Sequence, residues 1–338
     1  ADVFVDDPEL KVDETNKFKL YERFINKMIT KTQNKGPEAQ NIITNLLFGG
    51  ANVHKFYTKL AFQKIKTVSK SHEYFHSFDD VPTPSENDIS RMGIAYSDGS
   101  GGFNFIHRTF AEFFVAKFIY ETIFLDKNQE SRTKAIEFFC AILEPYFYDV
   151  IKSFIDDAVD GMNFSTVSNI EEIKSKFNSF YTTSALAQRV KILISSGFPN
   201  LFEFIVVHII QNPEDFWIRE EIFHEIISER FNRKPLAFFE KYWSISLKVL
   251  GESEVKEICL RENFFHIAVE GELETFMKFL WDKAPLTLEE KRKLIIDFRS
   301  SNIFIKIFKH NTLKSITKSE SEASRSMFVT IKGFLTTE

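Results

Sequence analysis

The sequence predicts a mainly α-helical chain carrying one β-hairpin, and three observations predict it. Apolar residues recur at helical spacing through most of the chain. The period drops to two in one stretch, residues 93–107. Glycine and proline, which punctuate helices, number only 12 and 9 in 338 residues, against 39 phenylalanines. A chain with few breakers and many bulky apolar side chains packs into helices rather than remaining disordered.

Residues 14–31 read as a helix, with Tyr21, Phe24, Ile25 and Met28 at i, i+3, i+4 and i+7. Residues 34–37 interrupt it, and Pro37 opens a second helix to about Phe48, ended by Gly49-Gly50. Residues 53–68 form the clearest amphipathic helix. Val53, Phe56, Tyr57, Leu60 and Ala61 share one face, with Lys55, Lys59, Gln63 and Lys66 largely off it. A polar loop at 77–86 leads to a short helix that Ser85 can cap. Residues 93–97, the turn DGSGG at 98–102, and 103–107 read as a hairpin, since Asp-Gly is a strong turn signal. Residues 107–124 are apolar almost all round, which predicts a helix buried on several sides.

Helices are then expected near 130–155, 169–180, 183–196, 200–211, 214–231 and 235–250, with linkers at 157–169 and 211–214. Four segments in the last third resemble one another: LFEFIVVHI from Leu201, LAFFEKYWSI from Leu236, LETFMKFLWD from Leu273 and IFIKIFKHN from Ile303. Their starts lie about 30 to 37 residues apart, the spacing of paired-helix repeats stacked in an α-solenoid. The polar, serine-rich stretch at 314–325 reads as a linker or a solvated helix face.

Asp and Glu number 48 against 43 Lys and Arg, a net charge of −5. That balance argues against a nucleic-acid face, which needs excess basic charge, and against a polybasic membrane anchor. No apolar run approaches the ~18 residues of a spanning helix, and the first residues lack a signal peptide's basic and apolar regions. Cys140 and Cys259 cannot build a disulfide framework and fit a reducing compartment. The expected location is cytoplasmic. The start ADVFVDD lacks Met, and we read it as lying inside a longer protein.

His72-Glu73-Tyr74-Phe75-His76 matches H-E-x-x-H, in which two histidines one helical turn apart hold zinc while the glutamate polarises a water. His72 and His76 are thus candidate metal ligands, with Glu86, His107 and Glu112 as candidate third ligands. Ser77–Pro82 ends any helix at once, so a surface loop is the favoured reading and no metal is expected. His107 opens the buried helix. It reads as a hydrogen-bonded histidine at a helix start, or as a donor facing a phosphate, which a helix N-terminus favours. Arg108 and Glu112 share a face at i, i+4 and read as a local ion pair. DGSGG lacks the Lys-Ser/Thr of a P-loop, and no G-x-x-x-x-G-K-[ST] occurs, so the chain is not expected to hydrolyse nucleotide by itself. Neither cysteine has a sequence-readable histidine partner, and no catalytic residue is assigned.

LYERF at 20–24 and FIHRTFAEFFVA from Phe105 resemble the region that follows the nucleotide-binding core of NACHT-type STAND NTPases, which are multi-domain signalling switches. Members carry an L-Y-x-x-F helix, then a winged helix ending in a hairpin and a helix of the type F-x-H-x-T/S-F-x-E. Val115 stands where alanine is common. The resemblance implies four parts: 1–50 as the end of the NTPase-adjacent helical domain, 51–126 as a winged-helix domain, 127–198 as a second helical domain and 199–338 as degenerate repeats. It also implies that His107 contacts the β-phosphate of ADP. The phosphate-binding loop and the Mg-binding acidic strand are missing from the chain, so ADP or ATP enters only through an upstream NTPase domain. NFFHIAVEGELETFMKFL at 263–280 is similar to an ankyrin repeat through His266, Ala268, Gly271 and Glu274, with the His-to-Gly spacing one residue short.

The expected function is therefore the regulatory and protein-interaction part of a NACHT-like switch, without catalysis of its own. Partners would bind the helical repeats, with nucleotide-dependent self-association. A freestanding helical scaffold and a zinc peptidase built on His72, Glu73 and His76 are the alternatives.

Overall fold

The structure, a computed structural model, describes residues 16–33, 50–65, 89, 93–125, 129–143, 148–167, 169–219, 222–227, 236–262, 264, 268, 274–297, 329–331 and 333–334. It is mainly helical, with one two-stranded antiparallel sheet among these residues. Two compact units form, Ala1–Ile210 and Gln211–Glu338.

The first unit contains α1 (Lys17–Gln33), α2 (Gly50–Lys64), β1 (Ala95–Ser97), β2 (Phe103–Phe105), α3 (Arg108–Tyr120), α4 (Gln129–Leu143), α5 (Asp149–Ala158), α6 (Ile170–Phe180), α7 (Thr183–Ser196) and α8 (Pro199–Glu203). Its centre is α3, which packs against α2, α4, α5 and β2. Phe113, Phe114, Val115, Ala116 and Ile119 are completely buried there, on more than one side of the helix, as its sequence predicts. Tyr57 of α2 stacks on Phe114 with ring centres 5.2 Å apart, and Phe154 of α5 meets Phe113 edge-on at 5.5 Å. Each large apolar side chain buried this way stabilises the fold by roughly 1.5–3 kcal/mol.

The hairpin forms where the period changes. Ala95 pairs with Phe105, Tyr96 with Asn104 and Ser97 with Phe103. Asp98 organises the turn: its Oδ1 accepts bonds from the Ser100 N–H at 3.0 Å, the Ser100 hydroxyl at 2.7 Å and the Gly102 N–H at 3.0 Å. Those bonds, led by the Ser100 hydroxyl, hold the Asp98 pKa below the usual carboxylate value. Gly99 and Gly101 have φ of 76° and 83°, which glycine adopts without strain.

Several elements differ from expectation. The helix expected near 130–155 is two helices, α4 and α5, and Pro145 lies between them in sequence, where its missing N–H cannot continue a helix. The stretch 157–169 is not a plain linker, because α5 runs to Ala158 and Phe164 is buried in a short 3₁₀ turn. The helix expected at 107–124 changes to π-helical winding at Glu121–Leu125. The helix expected at 200–211 does the same at Phe204–Ile209. These two π segments touch through Phe124 and Phe204, edge-on at 5.1 Å. The segment beginning at Leu201 thus packs with the first unit, apart in sequence from the segments at Leu236 and Leu273.

The second unit contains α9 (Pro213–Arg219), α10 (Ile222–Ile227), α11 (Leu236–Glu262), α12 (Glu274–Lys283) and α13 (Leu288–Asp297). One helix was expected over 214–231, where α9 and α10 stand. Within α11, Gly251 has φ 77° and ψ 164°, a non-helical break that ends the first arm where the sequence expects a helix to stop. Phe239 packs on Phe276 at 5.0 Å, and Trp243 meets Phe279 edge-on at 5.5 Å. Phe239 and Phe276 are the fourth residues of the similar segments that begin at Leu236 and Leu273, so corresponding positions meet. The segment at Ile303 and the residues His266 and Gly271 lie outside the described residues. No helix among the described residues is long and apolar enough to cross a membrane.

Candidate functional site

His107 stands between β2 and α3. Its backbone is extended, at φ −145° and ψ 136°, and its Nδ1 accepts a 3.2 Å bond from the Thr109 N–H. It is therefore the N-cap of α3, satisfying one of the N–H groups that a helix start leaves without an intrahelical partner. Nδ1 accepts only while unprotonated, so in this arrangement Nε2 carries the ring proton and is the donor left over. The imidazole is exposed, as are Tyr96 and Ile106 on the adjoining hairpin.

Thr109 links this cap to α1. Its side chain lies beside the Tyr21 hydroxyl, where burial raises the Tyr21 pKa above the ordinary phenol value and outweighs the lowering effect of Thr109. The Tyr21 ring lies 5.5 Å from Phe110, 5.7 Å from Phe113 and 4.9 Å from Phe154, and Phe24 lies 5.6 Å from Phe110. The stretches 20–24 and 105–116, far apart in sequence, therefore pack on each other. Arg108 Nε donates to Glu112 Oε1 at 2.9 Å, the local pair expected from their spacing.

His72, Glu73, His76 and Glu86 lie outside the described residues, and no cluster of potential metal ligands occurs among the described ones. Cys140 and Cys259 are buried free thiols. Burial pushes the Cys140 pKa far up and that of Cys259 to about 12, so neither is a nucleophile near neutral pH.

Sequence reasoning missed two arrangements. The first joins α1, α2 and α3: Lys117 pairs with Glu22 and with Glu121, the latter at 3.1 Å, and lies 5.9 Å from the Phe18 ring centre. His54 stands near this group with a buried, unpartnered Nδ1, and burial, then the Lys117 charge, lowers its pKa. The i, i+4 spacing of Lys117 and Glu121 was readable; Glu22 and His54 were not. The second is the pair Asp156-Asp157 at the end of α5. Asp156 Oδ1 accepts from the Leu201 N–H at 2.7 Å and its Oδ2 from Asn200 Nδ2 at 3.1 Å. Asp157 Oδ2 accepts from the Lys17 N–H at 3.0 Å. Consecutive carboxylates thus cap two different helices, α8 and α1.

Compared with known proteins, the chain matches no family model, no curated protein and no solved structure.

Proposed function

We propose that this chain is the regulatory and protein-interaction part of a NACHT-type STAND switch. In this reading 1–50 closes the NTPase-adjacent helical domain, 51–126 is the winged helix, 127–198 is a second helical domain and 199–338 holds degenerate helical repeats that bind a protein partner. His107 contacts the phosphate of ADP supplied by an upstream NTPase domain, and self-association follows the nucleotide state.

One observation carries the reading. The two sequence patterns that resemble the family meet in space through Tyr21, Phe24 and Phe110, and the histidine of the second is exposed at the start of a buried helix, its Nε2 without a partner among the described residues. A helix N-terminus favours an anion, and an imidazole N–H suits a phosphate oxygen. Helix α3 touches α2, α4 and α5, so a change at His107 has a packed path into the first unit.

The test begins with the coding sequence upstream of Ala1. An in-frame P-loop is expected, and the longer protein should purify with bound ADP. His107→Asn keeps the N-cap and removes the imidazole, so it should release ADP without unfolding the protein. An upstream sequence with no P-loop, or full ADP retention in His107→Asn, sinks the proposal.

A further inference from the structure

Helix α2 meets α3 on a face that carries two polar atoms without partners. His54 Nδ1 and the Tyr57 hydroxyl, one turn apart, are both buried and hydrogen-bonded to nothing among the described residues. Both rings lie against Phe114 of α3, His54 at 6.1 Å and Tyr57 at 5.2 Å between ring centres. Each polar atom has lost water and gained no partner, so it works against the packing that buries it.

Of the two, only the imidazole takes up a proton near neutral pH. The charges that act on it are Lys117 of α3 and Glu22 of α1. Lys117 is itself held by Glu22 and by Glu121, the latter at 3.1 Å, and its side chain is only 11% exposed. The strand β2, which also packs on α2, is Phe103-Asn104-Phe105 and brings no charge. Helix α4 reaches α2 two turns further on, where Phe138 meets Phe62. A proton on His54 therefore sets a second cation beside Lys117, whose ammonium already engages the nearby carboxylate. At Nδ1 it also makes a buried N–H with no acceptor.

We propose that the seam between α2 and α3 is a proton-operated joint, in which protonation of His54 in mild acid lifts the first turns of α2 off α3. Burial, then the Lys117 charge, holds the His54 pKa below its ordinary 6.5. Its contribution to the packing is therefore fully present above 6.5 and is lost as pH falls through the lowered value. This inference does not rest on the nucleotide reading of His107.

The test follows hydrogen exchange on the full chain at about pH 7.5 and about pH 5.5, with rates corrected for intrinsic exchange. Amides of α2 should lose protection at the lower pH, by up to about ten-fold, the limit that one proton sets one unit below 6.5. His54→Gln does not titrate there and should keep its α2 protection across the range. Amides of α4 should keep theirs in both proteins. Unchanged α2 protection in wild type, an equal loss in His54→Gln, or a loss shared by α4 overturns the proposal. Histidine NMR on the wild type, with His54 assigned by its through-space contact to the Phe114 ring, reads the same proton without a substitution. The His54 imidazole should titrate below 6.5, and titration at or above 6.5 overturns the proposal.

Discussion

Asp157 reaches back across the first unit to the start of the first described helix. Its Oδ2 accepts the Lys17 N–H at 3.0 Å, while its own carbonyl accepts from Asn16 Nδ2 at 2.6 Å. Burial raises the Asp157 pKa, so folding disfavours its charged form. The sign follows: this group's contribution is fully present at low pH and declines as pH rises through the raised value. At neutral pH, Asp157→Asn keeps an acceptor oxygen without the desolvated charge and should unfold close to wild type. Asp157→Ala loses the cap and should cost about 1 kcal/mol. Asp156→Ala leaves the Leu201 N–H without its buried acceptor and should cost more, about 2 kcal/mol. Urea unfolding of the three variants separates these outcomes.

Glu290 gives the opposite pH dependence. Thr287 and Glu290 form a capping box at the start of α13: Glu290 Oε2 accepts from the Thr287 N–H at 2.8 Å and Thr287 Oγ1 from the Glu290 N–H at 3.2 Å. Lys256 of α11 lies 2.9 Å from Glu290 Oε1. The Lys256 hydrogen bond, then the Thr287 N–H, lowers the Glu290 pKa from 4.5 to about 2. Its contribution is therefore present above pH 4.5 and lost as pH falls toward 2. Urea midpoints measured across that range should fall in wild type and fall less in Glu290→Gln.

His107 has a structural role that is separable from any phosphate contact. His107→Ala should destabilise the chain by about 1 kcal/mol through loss of the α3 cap, and His107→Asn should restore it, because asparagine is among the best N-caps. Thermal melts of the two variants at neutral pH check this. Equal losses in both would mean that the imidazole packs rather than caps.

The two thiols report on unfolding. Cys140 and Cys259 are 1% and 2% exposed. Both should resist a thiol reagent such as DTNB in the native chain and react together once the chain unfolds in urea. Fast labelling of one thiol before the unfolding transition would show that its part of the structure opens on its own.

The first-unit site was partly legible because some of its signals are local. The turn residues Asp98-Gly99, the cap position of His107, the Arg108–Glu112 spacing and the apolar circumference of α3 all follow from neighbours in sequence, where one turn of backbone decides the geometry. The capping box at Thr287–Glu290 was equally local and was overlooked. Helix boundaries at 143–149 and the change to π winding at Glu121 and Phe204 were not legible, since apolar periodicity over a few residues cannot separate one winding from the other.

By itself the sequence determined that this chain is mainly helical, where its hairpin turns and that the helix after the hairpin is buried on several sides, because propensity, turn chemistry and hydrophobic period act over a few residues. Only the tertiary structure decided that Tyr21 meets Phe110, that Asp156 and Asp157 cap two separate helices, and that Phe334 stacks on Trp281. Those contacts join residues distant along the chain. No local pattern encodes them: buried N–H groups, carboxylates and rings take whichever partner the packed core brings within reach.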